Sequence, residues 1–447
     1  MSQKRVKSFD LFLDLLYAFT IRVVGILAIP YLLYMSIRYK KYRQGWRQKL
    51  FGDVPELPGV ENGKKRIWFH AVSVGEVNLI KPIVKEIRAR GLNYEFVVSS
   101  TSDTGYQLAQ KLFGDQTLVF HCPLDLKRAV TRVLQRVKPD VLTLVELELW
   151  PTIIKTVCNA GTPVAIVNGR VSDQSFKRYR LVRWALAPTF RRIALIAAQD
   201  ERAEKYFKAL SPCPERVVTT GSLKFDGVET NRENAATQRA RKLVGIEESD
   251  VVFLAGSTQE GEEAAALETY CRLREEFPEL KLILVPRHRE RFEDVARMLD
   301  ESGVPWVRRS QLDAESPQQN DGSERWRVIL IDAIGELGAW WGLAQIAFVG
   351  GSWGSRGGQN MLEPSGYGAA VSFGPNTQNF RAIVEALLQA RAAVVVSDTD
   401  EMAAFVRRCL VEPQYRQTLG DAARELTLRN AGAARKTVEE LAKLIEK

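Results

Sequence analysis

Three glutamates stand where acid–base chemistry could be done. His70-Ala71-Val72-Ser73-Val74-Gly75-Glu76 directly follows a short apolar run, and Glu146-Leu147-Glu148-Leu149-Trp150-Pro151 follows another. A carboxylate at the carboxyl end of a strand can serve as a general base where its surroundings are dry enough to raise its pKa. Ser73 adds a hydroxyl, and Gly75 would permit a tight turn before Glu76. The same Glu76 would also stabilise a helix N-terminus through the macrodipole, so the stretch alone suits either role.

A second set of residues suits an anionic ligand. The apolar run Ile346–Val349 leads into Gly350-Gly351-Ser352, and a second glycine turn, Gly357-Gly358-Gln359-Asn360, precedes Glu363-Pro364. Strand, glycine loop and helix start in that order bring bare backbone N–H groups to a point, as a nucleotide phosphate requires. An ordinary strand-to-helix turn of an α/β domain has the same composition. Gly256-Ser257-Thr258-Gln259-Glu260-Gly261-Glu262-Glu263 follows the run Val251–Leu254 and supplies hydroxyls and acids. Pro286-Arg287-His288 follows Lys281–Val285, where the planar fork of Arg287 could hold a phosphate or carboxylate in two places, or could belong to a basic surface patch.

The elements that must position these residues are legible as alternation. Ile67–Phe69, Glu95–Ser99, Leu118–Phe120, Val141–Val145, Val164–Val167, Leu195–Ala198 and Val217–Thr219 are short apolar runs, with helix-like stretches such as Val77–Arg90, Thr104–Phe113 and Leu126–Val137 between them. The pattern pauses in the polar segment Lys224–Ser249. It restarts with Val251–Leu254, Lys281–Val285, Val304–Val307, Val328–Ile331, Ile346–Val349, Ala370–Phe373 and Ala393–Val396. Alternation of this kind predicts two doubly wound parallel sheets, Rossmann-like, whose ligands bind beyond the strand carboxyl ends in a cleft between the halves. Gln311–Arg325 reads as a surface loop.

The chain has 447 residues, 45% of them hydrophobic and 26% charged, which fits two or three globular units rather than a disordered chain. Its five cysteines are scattered without CxxC spacing and it has three histidines, so neither a disulfide framework nor a metal centre is expected. The net charge of +9 is concentrated after an apolar segment, in Arg38–Lys49, and that placement favours an anionic membrane over nucleic acid. Residues 11–37 exceed the roughly 20 apolar residues needed to cross a bilayer. Arg22 falls near the middle, where a charge costs about 2.5–3.5 kcal/mol on insertion scales, so the segment either spans or lies in the interface. The basic residues after it place the bulk of the protein on the cytoplasmic side.

Taken together, HAVSVGE, ELELWP, GSLKFD, STQEGEE, PRHRERF, GELG and FVGGSWGSRGGQNMLEP, in that order, resemble the 3-deoxy-D-manno-octulosonic acid (Kdo) transferases of lipopolysaccharide biosynthesis. The resemblance extends over nearly the whole chain. It implies an α/β fold of the GT-B type: two Rossmann-like domains facing a cleft, with an N-terminal membrane-anchor helix at the cell inner membrane. The expected divisions are an anchor at 1–38, an acceptor-binding domain at 39–223, a linker at 224–249, and a donor-binding domain with C-terminal helices at 250–447. It implies CMP-Kdo as donor and lipid A precursor as acceptor, inversion at the transferred carbon, and no metal. Glu76 matches the family's base, and Glu148 or Glu146 its second acid. Arg287, His288, Gly335, Glu336, Leu337, Asn360 and Glu363 match donor-binding positions, and Ser222 and Lys224 the interdomain turn. The chain departs from the family at Ser222, where Asn is usual, and at Gln359, where His is common; the second change removes a titratable group. A GT-B transferase of another nucleotide sugar, or a membrane-tethered binding protein without catalysis, would share the architecture.

Overall fold

The computed structural model describes residues 44–60, 63–312 and 326–446, with scattered positions between 12 and 38. The expected anchor therefore lies largely outside the described residues, as does most of the expected surface loop after Gln311. Among the described residues, no helix is long and apolar enough to cross a membrane.

The first sheet is built from β1 (Lys65–Ala71), β2 (Tyr94–Ser100), β3 (Val119–His121), β4 (Val141–Val145), β5 (Val164–Gly169), β6 (Leu195–Ala198) and β7 (Val217–Thr219). They lie in the order β3-β2-β1-β4-β5-β6-β7, all parallel. Strands enclosed by helices on both faces must be apolar on both, which is why they are continuous apolar runs in the sequence. Successive side chains divide between the two faces. Ile67 and Phe69 join the core that includes Ile80 and Ile83 of the helix Val74–Ala89, while Trp68 between them joins the opposite core with Phe120 and Ile154.

The second sheet repeats the plan with β8 (Val251–Thr258), β9 (Leu280–Pro286), β10 (Trp306–Arg308), β11 (Val328–Leu330), β12 (Ile346–Val349), β13 (Ala370–Phe373) and β14 (Ala393–Val395). Its order is β10-β11-β9-β8-β12-β13-β14, again parallel. In each sheet the chain leaves the central strand in one direction and returns to build in the other. The reversal falls between β1 and β4 in the first sheet and between β8 and β12 in the second. Open α/β sheets bind ligands at such points, beyond the strand carboxyl ends.

Two expected boundaries need correction. The chain forms one unit up to Gly227 that also takes in the residues from Ala431 on, and a second unit from Val228 to Asn430. The last helix, Ala433–Ile445, thus belongs to the first unit and not to the second. Its apolar face of Ala434, Val438, Leu441 and Ile445 packs into the core beside Ile83 and Val98. The spacing of these apolar residues fits one helix face but does not say against which sheet that face packs. Asp226 fastens it by accepting the N–H groups of Gly432 and Ala434 at 2.6 and 3.1 Å. The polar stretch 224–249 is likewise no free linker. Leu223–Asp226 is a helical turn of the first unit, and Ala235–Val244 is a helix of the second, capped by Asn234.

Candidate active site

At the carboxyl end of β1, Ser73 caps the helix Val74–Ala89 by accepting the Glu76 N–H at 3.3 Å. The Glu76 carboxylate folds back over the same turn. One oxygen accepts the Ser73 hydroxyl and the other the Val72 N–H, both at 2.8 Å. The arrangement is reciprocal like a capping box, with the Val72 N–H in place of the N-cap's own, and it fixes the carboxylate with no salt bridge to it among the described residues. Burial pushes its pKa upward, the Val72 and Ser73 donors oppose the shift, and nearby Glu146 adds to it. Gly75 makes no tight turn: it sits inside the helix, and an added Cβ would meet only the Ser73 Oγ, 3.7 Å away. Ser73 and Gly75 are exposed, so the helix start above Glu76 is open.

The adjacent strand β4 is followed directly by Glu146, whose φ of +60° turns the chain sharply. Its carboxylate pairs with Arg170 at 3.5 Å. Glu148 accepts the Trp150 indole N–H at 3.0 Å. Burial, with the negative charges of Glu76 and Glu146 beside it, raises its pKa to about 7. Glu148 is therefore part-protonated near neutrality. Both acids left open by the sequence interact electrostatically with Glu76. Lys224 joins this group. Burial lowers its pKa against the pull of Glu146, with Arg170 reinforcing the fall. Buried Asn168, at φ +52°, accepts the Leu223 N–H at 2.9 Å and so holds the turn carrying Ser222 and Lys224. Ser222 starts that turn without bonding to it through its side chain. The positive φ of Asn168 and its role in this turn were not legible in its sequence position.

In the second unit, the expected anion cradle is already filled. Glu262 opens the helix Glu262–Leu273 after β8 and reaches across to the loop after β12. Its carboxylate accepts the N–H groups of Gly351 at 2.7 Å, Ser352 at 2.9 Å and Trp353 at 3.0 Å, and also that of Gln259 at 2.8 Å. Gly350 donates its own N–H to Gly256 at 2.9 Å. The chain's own carboxylate thus takes the place assigned to a ligand at Gly350, Gly351 and Ser352. A Cβ on Gly350 would lie 2.6 Å from the Glu262 oxygen, so glycine is needed there for close approach rather than for ligand contact. Ser352 donates to Val349 O and accepts the Gly374 N–H, at 2.7 and 2.8 Å, tying the ends of β12 and β13.

The remaining polar residues of this unit divide into engaged and available. Ser257 has φ +56° and is buried; Thr258 donates to Glu263, which also receives two bonds from Arg291 at 3.0 and 3.2 Å. Glu336, after the positive-φ turn at Gly335, is gripped by Arg309 Nε and Nη2 at 2.9 and 3.2 Å, and Leu337 begins the short helix Leu337–Trp341. Asn360 donates to Glu363 at 3.1 Å and accepts the Leu362 N–H at 3.2 Å, at the start of the helix Leu362–Gly366. Arg287 is held only by its backbone, its N–H bonded to Thr258 O at 3.0 Å; its side chain is exposed and unpartnered among the described residues. His288 beside it is half-buried.

Residues 44–227 match the family model described as 3-Deoxy-D-manno-octulosonic-acid transferase (kdotransferase). A 3-deoxy-D-manno-octulosonic acid transferase of Haemophilus influenzae is 32% identical over 417 residues, covering 92% of this chain and 94% of the relative. One of Bordetella pertussis is 32% identical over 384 residues, covering 84% and 86%. Among solved structures, a UDP-GlcNAc 2-epimerase from Neisseria meningitidis superposes with a TM-score of 0.56 at 13% identity, covering 85% of this chain and all of that one. This last likeness concerns the fold alone, two parallel α/β units in one chain.

Proposed function

We propose, from the premise that the chain belongs to the 3-deoxy-D-manno-octulosonic acid transferase family and is a glycosyltransferase that transfers Kdo, that it carries Kdo from CMP-Kdo to a lipid A precursor with inversion. Glu76 is the general base of this reading. The observation that carries it is a carboxylate buried at an open helix start, its pKa raised, with Glu146 and Glu148 close enough to perturb one another. An acceptor hydroxyl loses its proton to Glu76 as its oxygen bonds to the anomeric carbon, and the bond from that carbon to the CMP oxygen breaks on the opposite face. Glu148, part-protonated, relieves the repulsion that three ionised carboxylates would impose and keeps Glu76 available as a base.

The donor contacts fall to Arg287, His288, the turn at Gly335, Glu336 and Leu337, and the Asn360–Glu363 pair. Arg287 is the cation for the CMP phosphate or the Kdo carboxylate, since it alone of these donor residues presents a charged side chain with no partner among the described residues. No metal enters this reading.

Residues 11–37 hold the protein at the cytoplasmic face of the inner membrane. Phe12, Leu16, Phe19, Val23 and Leu27 are exposed at helical spacing, which supports an apolar face turned to lipid. The basic collar behind them is smaller than its sequence implies. Lys49 is buried against Asp103 at 3.1 Å, and Arg47 pairs with Asp53 at 2.8 Å. Incubation with CMP-Kdo and tetraacyl lipid A precursor, followed by mass spectrometry of the lipid, tests donor and acceptor together. A Kdo-sized mass increase is expected, and an unchanged lipid beside hydrolysed or intact donor would overturn the acceptor assignment.

A further inference from the structure

The segment just after the chain enters the second unit holds more of that unit together than its polar sequence implies. Arg232 lies in the turn before the helix Ala235–Val244, half-buried. Its guanidinium donates to three backbone carbonyls: Tyr367 at 2.8 Å, Gly342 at 2.9 Å and Ala344 at 2.7 Å. Gly342 is the C-cap of the helix Leu337–Trp341, and Tyr367 is the C-cap of the helix Leu362–Gly366. Carbonyls at helix ends lack helical partners, and a rigid cationic fork satisfies several at once.

The same turn makes further links to these two helices. Asn234 donates to the Tyr367 hydroxyl at 3.1 Å, and that hydroxyl donates to Gly338 O at 3.1 Å. Thr237 donates to Ala339 O at 3.1 Å. Packing is equally close. A Cβ on Gly366 would stand 2.2 Å from Val228 and one on Gly342 would stand 2.4 Å from Thr237, so neither helix can move toward the segment or accept a larger residue there. At their opposite ends, these two short helices start with Leu337, next to Gly335 and Glu336, and with Leu362, between Asn360 and Glu363.

We propose that Arg232 is a positioning residue for the donor: it clamps the C-terminal ends of both short helices so that the Gly335–Leu337 turn and the Asn360–Glu363 pair hold one fixed separation. This rests on the donor-site assignment above. Each helix has about one turn and cannot hold its own orientation, because helices this short are marginal without tertiary support. A clamp common to both therefore sets their spacing, and a nucleotide contacting both would read that spacing as affinity. Burial lowers the Arg232 pKa to about 10, so the clamp stays cationic at neutral pH.

The test measures CMP affinity by calorimetry and steady-state kinetics with CMP-Kdo for Arg232→Met, Arg232→Lys and Asn360→Ala in the full chain. Arg232→Met is expected to raise the CMP Kd and the donor KM about tenfold, with kcat at saturating donor and acceptor KM within about twofold. Lysine reaches one carbonyl instead of three, so Arg232→Lys falls between. If Asn360→Ala weakens CMP but Arg232→Met does not, even with a lowered Tm, the clamp is structural only and the proposal is overturned. If neither substitution weakens CMP, the donor-site assignment fails and the proposal with it. A loss of kcat at unchanged donor KM also overturns it. Should Arg232→Met not fold, Tyr367→Phe removes the hydroxyl link between Asn234 and Gly338 without opening a cavity. A rise of about threefold in donor KM is expected from it, and an unchanged KM counts against the clamp.

Discussion

The carboxylate of Glu262 accepts the backbone N–H of Gly351 at 2.7 Å, joining the helix after β8 to the glycine loop after β12. Four N–H groups converge on this one side chain, which is 1% exposed. In Glu262→Gln, one oxygen becomes an NH2 that faces donors, and the charge assistance of the others is lost. The opening free energy of the loop is expected to fall by about 3 kcal/mol, seen as roughly 100-fold faster hydrogen exchange at the Gly351, Ser352 and Trp353 amides. Unchanged protection would show that the loop keeps its shape without the carboxylate.

Glu76→Gln separates the capping role of this residue from its proposed chemical one. Glutamine also closes a capping box, so Tm should stay near that of the unaltered chain. A carboxamide cannot take the acceptor proton, and kcat should fall about 10²–10⁴-fold with CMP binding intact. Near-normal turnover would leave Glu76 a helix cap and nothing more.

The pKa of Glu148 gives stability a pH dependence of definite sign. Its folded pKa of about 7 lies above the ordinary 4.5, so between these values the folded chain binds more protons than the unfolded one. Stability contributed by this group is therefore fully present below about pH 4.5 and is lost as pH rises to 7. In Glu148→Gln this component disappears. The Tm difference between variant and unaltered protein should grow in the variant's favour from pH 5 to pH 7.5, and a difference constant with pH would contradict the assignment.

Arg287 is exposed and unpartnered among the described residues, so its removal should leave the fold alone. If it holds an anionic group of the donor, Arg287→Ala gives up about 1.5–3 kcal/mol of charge-assisted bonding. Donor KM should rise about 10- to 100-fold while Tm changes by less than a degree or two. Equal CMP affinity in the variant would remove Arg287 from the donor site.

The fourteen strands of the described residues were legible as short runs, most clearly where both faces are enclosed and the run is apolar throughout, as in Val141–Val145 and Ile346–Val349. Glu76, Glu146 and Glu148 were legible as strand-end acids for the same reason: the run ends where the polar residue begins. What the sequence could not carry was contact across it. Glu262 meets Gly351 only because β8 and β12 are neighbours in the sheet, a pairing no local pattern encodes. The glycine loop looked like an empty cradle since composition reveals N–H groups but not the carboxylate that fills them. Arg232 looked like one charge in a polar linker, because its three partners are carbonyls, and every residue has one. Gly75 was misread in the opposite direction: a glycine before a helix suggests a turn, yet this position has ordinary helical geometry.

The return of Ala433–Ile445 to the first unit also orders events during synthesis. The second unit, Val228–Asn430, is a continuous stretch and can close as soon as it has emerged from the ribosome. The first unit begins earlier but lacks Val438, Leu441 and Ile445 until the whole of the second unit has been made, so its core around Ile83 and Val98 stays open longer. A chain ended after Asn430 should thus be cut by protease within the first unit while the second resists, the reverse of the order in which the two were made.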